Sequence, residues 1–215
     1  MELSDEAARV LGALLEKERT VPDTYPMTLK GLVSACNQSS SRWPVVSYDE
    51  GTVQRTLDQL KADGLVRFVH PSHGERSTKF RQVLDEHLGL ERDDAAVLCV
   101  LLLRGPQTSG ELRTRTERLH AFGSVGEVEE VLRRLASRDE PLVRLLDRRP
   151  GEREARWVHL LAGEPDLSIV EAPSRPAAAA ASAASAASTP ALEARVAALE
   201  EKVARLEAAL GDLIS

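Results

Sequence analysis

Aromatic side chains are scarce in this chain, with two tryptophans, two tyrosines and three phenylalanines among 215 residues. Leu, Val and Ala must therefore supply the core, as in small helical domains. Cysteine is scarcer still. Cys36 and Cys99 each sit inside an apolar helical pattern, which predicts small buried side chains in a reducing cytosol. The opening Met1-Glu2-Leu3-Ser4-Asp5-Glu6 is acidic and unlike a signal peptide. The longest apolar run, Ala95 to Leu103, is far too short to span a bilayer. A cytoplasmic protein is expected.

Sequence marks of catalysis are missing too. There is no Gly-rich phosphate loop and no Cys/His cluster at metal spacing. His70 and His73 stand three apart, without a carboxylate or thiolate at ligand spacing. The pairs Asp93-Asp94 and Glu129-Glu130 read as helix starts or solvated faces. The expectation is no enzyme, no metal and no cofactor. Positive charge is not in excess either. The net charge of −6 gives no global attraction to a polyanion. Residues 1–90 carry 11 basic and 13 acidic side chains, and residues 91–163 carry 13 of each. Any nucleic-acid contact needs a local patch.

What is present is one unit written twice, offset by about 77 residues. The first opens with Ser4 as a helix N-cap and the stripe Val10, Leu11, Leu14, Leu15; the second with Asp93-Asp94 and Val97, Leu98, Leu101, Leu102. A polar turn ends each first helix, at Glu18-Arg19-Thr20 and at Arg104-Gly105-Pro106. Second helices start at Thr28 and Thr108. Third helices carry Val53, Leu57, Leu60 and Val128, Leu132, Leu135. Strand-like pairs follow: 65–69 with 78–83, and 142–146 with 155–160. Phe80 and Trp157 share one slot. Three helices and a hairpin describe a winged helix. The predicted fold is mainly α with small β-hairpins, as tandem winged helix-turn-helix domains over 1–88 and 89–163. An Ala/Ser/Pro-rich linker, 164–190, and a coiled-coil helix, 191–215, complete it.

The tail carries an unbroken a/d seam, with Val196, Leu199, Val203, Leu206 and Leu210 at its centre. Arg195 and Lys202 at g face Glu200 and Glu207 at e of a parallel partner. A parallel homodimer is expected; one amphipathic helix docked on its own chain is the alternative.

Tyr25-Pro26-Met27-Thr28-Leu29 through Ala35-Cys36-Asn37-Gln38, then Ser41-Arg42, Pro44-Val45 and Tyr48, resembles the YceH-like family of uncharacterised bacterial proteins. So does the run from Pro150 to Leu161. The resemblance covers about 160 residues and implies tandem winged helices. It implies no established activity.

Function must then rest on residues. In most winged helices the third helix enters the major groove and the wing touches the backbone. The first third helix offers Gln54, Arg55 and Lys61 for base edges or phosphate. The preceding loop adds Asn37, Gln38, Ser39, Ser40, Ser41 and Arg42. The wing adds Arg67, His70, His73, Arg76, Lys79 and Arg81 against Glu75 alone. Arg42, Gln54, Arg55, Lys61, Arg76, Lys79 and Arg81 are the predicted nucleic-acid contacts. In the second unit Glu127, Glu129 and Glu130 open the third helix, which suits its dipole and not a polyanion. Arginines gather in its second helix and wing: Arg113, Arg115, Arg118, Arg144, Arg148, Arg149, Arg153 and Arg156. The leading expectation is a DNA-binding, regulator-like homodimer that reads double-stranded DNA through its first unit. The alternative is a protein-interaction scaffold of the tandem winged-helix type, as in chromosome segregation accessory proteins.

Overall fold

The computed structural model describes residues 2–70, 77–148 and 151–163. The linker and the heptad positions Val196, Leu199, Val203, Leu206 and Leu210 lie outside the described residues, as do Arg76, His73, Glu75 and Arg149.

The architecture is mainly helical, with two small antiparallel sheets. In the first repeat, α1 (Asp5–Thr20), α2 (Leu29–Cys36) and α3 (Glu50–Ala62) precede a hairpin of β2 (Val66–Val69) and β3 (Lys79–Gln82). A two-residue strand, β1 (Met27–Thr28), lies between α1 and α2, and α4 (Leu84–Leu88) follows β3. The second repeat runs α5 (Arg92–Arg104), α6 (Ser109–Thr116), α7 (Val125–Ala136), β4 (Val143–Leu145) and β5 (Trp157–His159).

Each principal helix starts where a side chain can satisfy a free backbone N–H. Ser4 Oγ accepts from the Ala7 amide at 3.2 Å, and Thr28 Oγ1 from Gly31 at 3.2 Å. Asp49 accepts from Thr52 at 2.6 Å. Thr108 and Glu111 form a reciprocal capping box, and Ser124 caps α7. Gly64 closes α3 at a φ of 73°, where a side chain would be strained. One boundary moves: Glu18, Arg19 and Thr20, expected as a turn, form the last turn of α1.

The sheet order of the first repeat is β1-β3-β2, with Met27 opposite Phe80 and Phe68 opposite Phe80 on the other side. The second repeat pairs Leu145 with Trp157 in the same register, offset by 77 residues. In place of β1 it has a single bridge, Gln107 to Trp157. Gln107 stands to Thr108 as Met27 stands to Thr28, one residue before a helix cap. The repeat is thus preserved at the level of backbone hydrogen bonds.

Both repeats contribute to one continuous core. Every residue of α1 from Ala7 to Leu15, and of α5 from Asp94 to Leu103, is buried. Helices buried on all sides need apolar sequence all round, which explains the Ala95 to Leu103 run. The α1–α5 packing is the most extensive helix pairing among the described residues. At Gly12 the two helices are in tight contact: an added Cβ would lie 2.9 Å from Leu103 and 3.1 Å from Leu102 Cβ. Cys99 Sγ donates to the Gly12 carbonyl at 3.4 Å. The expected boundary at 88/89 falls at Gly89, just past α4, and the core runs on across it. Both cysteines are buried and reduced, and burial pushes the Cys36 thiol up to about 12.

Gln82 ties the first repeat together from a buried position. Its side chain donates to Glu18 at 2.6 Å and accepts from the Leu84 amide at 2.7 Å; its own amide donates to the Tyr25 hydroxyl at 2.8 Å. In the second repeat His159 Nδ1 is shut off from solvent and has no hydrogen-bond partner among the described residues. Burial lowers the pKa of this imidazole to about 4. The unfolded chain, titrating near 6.5, binds the proton more readily. Stability from this group is therefore present above pH 6.5 and lost as pH falls towards 4, by up to about 3 kcal/mol. Urea titrations at steps between pH 7 and 4 should show that loss, and His159→Phe should reduce it. An equally acid-sensitive variant would assign the loss to other groups.

Candidate nucleic-acid interface

Val53, Leu57 and Leu60, all fully buried, fix the rotation of α3. A helix turns 100° per residue, so Arg55 stands opposite this seam. The outermost arc holds Gly51, Arg55, Asp58, Gln59 and Ala62, all exposed. Arg55 donates to Thr52 Oγ1 at 3.2 Å and is otherwise open to solvent. Gln54 is half-buried, and its amide donates to Asp58 at 3.0 Å. Gln59 likewise donates to Asp63 at 3.0 Å. Two of the polar groups suited to reading bases are thus held by carboxylates of their own helix.

Lys61 links helix and hairpin. Its ammonium lies 4.4 Å from the centre of the Phe68 ring, and Phe68 meets Phe80 edge to face at 4.8 Å. Phe80 is buried, while Lys79 and Arg81 lie half-buried on the opposite face of β3, as alternation requires. The structure therefore puts Lys61 on the Phe68–Phe80 face of the hairpin and Lys79 and Arg81 on the other, while Arg55 crowns the helix.

Four expectations need correction. Arg42 is no surface contact, because its side chain is fully buried. It donates to Glu16 through both terminal nitrogens, at 3.0 and 2.7 Å, and through Nε to the Ala35 carbonyl at 3.0 Å. Asn37 is engaged as well: its amide donates to the Tyr48 carbonyl and accepts the Tyr48 amide, each at 2.8 Å. These two side chains fasten the loop between α2 and α3. The first hairpin is also less basic than its own sequence window suggests. Glu86, from α4, pairs with Arg67 at 3.1 Å and with Arg81. In the second repeat Arg156 is structural, paired with Glu111 at 2.7 Å and Glu152 at 3.2 Å.

No helix among the described residues is long and apolar enough to cross a membrane. No group of His, Cys, Asp and Glu among them could hold a metal ion.

Residues 3–152 match the family described as protein of unknown function, DUF480. A UPF0502 protein of Shewanella pealeana is 46% identical over 223 aligned residues, covering 100% of both chains. One from Geotalea uraniireducens is 46% identical over 207 residues, 96% of this chain and 88% of its own. One from Opitutus terrae is 50% identical over 175 residues, 81% of this chain and 76% of its own.

Proposed function

This chain belongs to the DUF480 family of uncharacterised bacterial proteins, and from that premise we propose that its first repeat is a winged helix that binds double-stranded DNA. The observation that carries the reading is the setting of α3. Three buried residues turn its outer face to solvent, with Arg55 at the crest, and Lys61 joins it to a hairpin bearing Lys79 and Arg81. The strand order β1-β3-β2, with β1 between the first two helices, supports the winged-helix assignment of the repeat. The second repeat, with Glu127, Glu129 and Glu130 exposed on α7, serves this reading as a partner in folding and not as a second reader. The heptads of the tail, read from sequence alone, add a parallel homodimer. The full chain should sediment as a dimer and the Leu199→Pro, Leu206→Pro variant as a monomer.

The second reading, a protein-interaction scaffold, is favoured by Asp58 on the outer arc of α3 and by Glu86 between Arg67 and Arg81, which break the positive stripe. Fluorescence anisotropy with labelled duplex, at several salt concentrations, separates the two. For a reader of DNA, Arg55→Ala weakens binding by about 1–3 kcal/mol, and Glu129→Ala leaves it in place. Arg76→Gln with Lys79→Gln flattens the slope of log K against log salt by up to about 2. Binding that ignores salt, or none at all, would hand the function to the scaffold reading.

A further inference from the structure

A cleft of about 530 Å³ lies between the two repeats. Its walls are the C-terminal part of α1, the loop after α2, the C-terminal half of α5, and α6 with the turn that follows it. Four cations line it: Lys17, Arg104, Arg115 and Arg118. Lys17 is paired with Glu16 at 3.0 Å, and Glu16 is held by Arg42 as well, which leaves the three arginines. Glu117 is exposed.

Arg104 is the informative side chain. It is half-buried at the end of α5 and donates to Ser41 Oγ at 2.5 Å, and it makes no ion pair among the described residues. Burial first, then the nearby Arg115, lowers its pKa, against an opposing pull from Glu16. Arg115 has only a 3.3 Å contact to Glu111, and Arg118 is exposed. Two half-buried guanidinium groups close enough to repel, Arg104 among them with no ion pair in the described residues, form an arrangement suited to clamping an oxoanion. Ser40, Ser41 and Gln38 add neutral hydrogen-bonding groups to the lining. The apolar part of the lining comes from buried Val100 and Leu103, half-buried Leu119 and exposed Val21, with Thr20 and Thr114 adding hydroxyls.

We infer that this cleft binds a small molecule carrying a phosphate or carboxylate on an apolar body, with Arg104, Arg115 and Arg118 holding the oxoanion. The volume is that of an ordinary small-ligand site. The site does not depend on the DNA reading, since none of its residues lies on α3 or the first hairpin.

The test is calorimetric titration of the full chain at low ionic strength with 1-naphthyl phosphate and, separately, inorganic phosphate. Saturable one-to-one binding is expected, about tenfold tighter for the naphthyl ester because the ring covers apolar lining. Arg104→Gln should weaken it at least about tenfold, since a charge-assisted bond to a half-buried guanidinium is lost. Arg118→Gln, an exposed change that leaves the fold intact, should weaken it by roughly three- to tenfold and keeps the test decisive if Arg104→Gln unfolds. Arg133→Gln, on the far helix α7, should change nothing. Absence of saturation, or equal weakening by Arg133→Gln, would overturn the proposal. Competitive displacement of the ester by a short DNA duplex would also overturn it, by making the cleft part of a backbone-contact surface.

Discussion

Gly12→Val destabilises the protein by about 2–3 kcal/mol, the cost of forcing atoms into a filled helix crossing. Gly12 lies mid-helix, where glycine is ordinarily a poor choice and every residue but proline would raise helix propensity. The crossing reverses that preference. A Cβ at residue 12 would come within 3.1 Å of Leu102 Cβ, an atom that moves only with its backbone. The Cys99 hydrogen bond to the Gly12 carbonyl would be displaced along with it. Gly126 provides the opposite case. It lies near the start of α7, where an added Cβ would meet nothing closer than Ser124 Oγ at 3.6 Å. Gly126→Ala should therefore stabilise by roughly 0.5 kcal/mol through helix propensity alone. Urea denaturation of both variants checks the pair. A neutral Gly12→Val would mean that α1 and α5 can separate at no cost, and that the two repeats do not depend on a common core.

Arg42→Met costs about 3 kcal/mol at neutral pH, because it leaves the largely buried Glu16 carboxylate without its main partner. Burial alone would raise the Glu16 pKa, and the Arg42 hydrogen bonds and charge, helped by Lys17, bring it below the ordinary carboxylate value. The sign of the pH dependence follows. A depressed carboxylate adds stability above its unfolded pKa, and that stability is lost as pH falls through the folded value. Without Arg42 the balance tips to burial, Glu16 is raised, and protonation relieves the variant. The gap between wild type and Arg42→Met should therefore be widest near pH 7 and narrow below about pH 4. Double substitution, Glu16→Gln with Arg42→Met, should recover part of the loss. An Arg42→Met protein as stable as wild type, with reduced salt dependence of DNA binding, would return Arg42 to the surface role expected from its sequence neighbours.

Much of the fold was legible because its signals are local. Ser4, Thr28, Asp49, Thr108 and Ser124 cap helices within three residues of themselves, and Val53, Leu57 and Leu60 mark one face of one helix. What escaped is short or distant. β1 has two residues, too few for alternation to register, and α4 has five, too few for a helical period. The candidate site suffered from distance. Arg42 reads as a loop cation until Glu16 arrives from 26 residues away, on a helix whose whole middle is buried. Glu86 lies just past β3, outside the window in which the wing counts as basic, yet the chain turns it back onto Arg67 and Arg81. The cleft between the repeats has no sequence signature, since its cations come from three helices and the turn after the last of them. Its clue was the clustering of arginines in the second repeat, Arg115 and Arg118 among them, which reads as a backbone-contact patch in sequence.

The most direct test of the DNA-reading account is a chemical-shift titration of the isotope-labelled full chain with duplex DNA at low salt. The account predicts perturbations centred on the outer arc of α3, from Gly51 through Arg55 to Gln59, extending through Lys61 to Lys79 and leaving Glu127, Glu129 and Glu130 of α7 unmoved. Perturbations confined to α6 and α7, or a spectrum that duplex does not change, would contradict it.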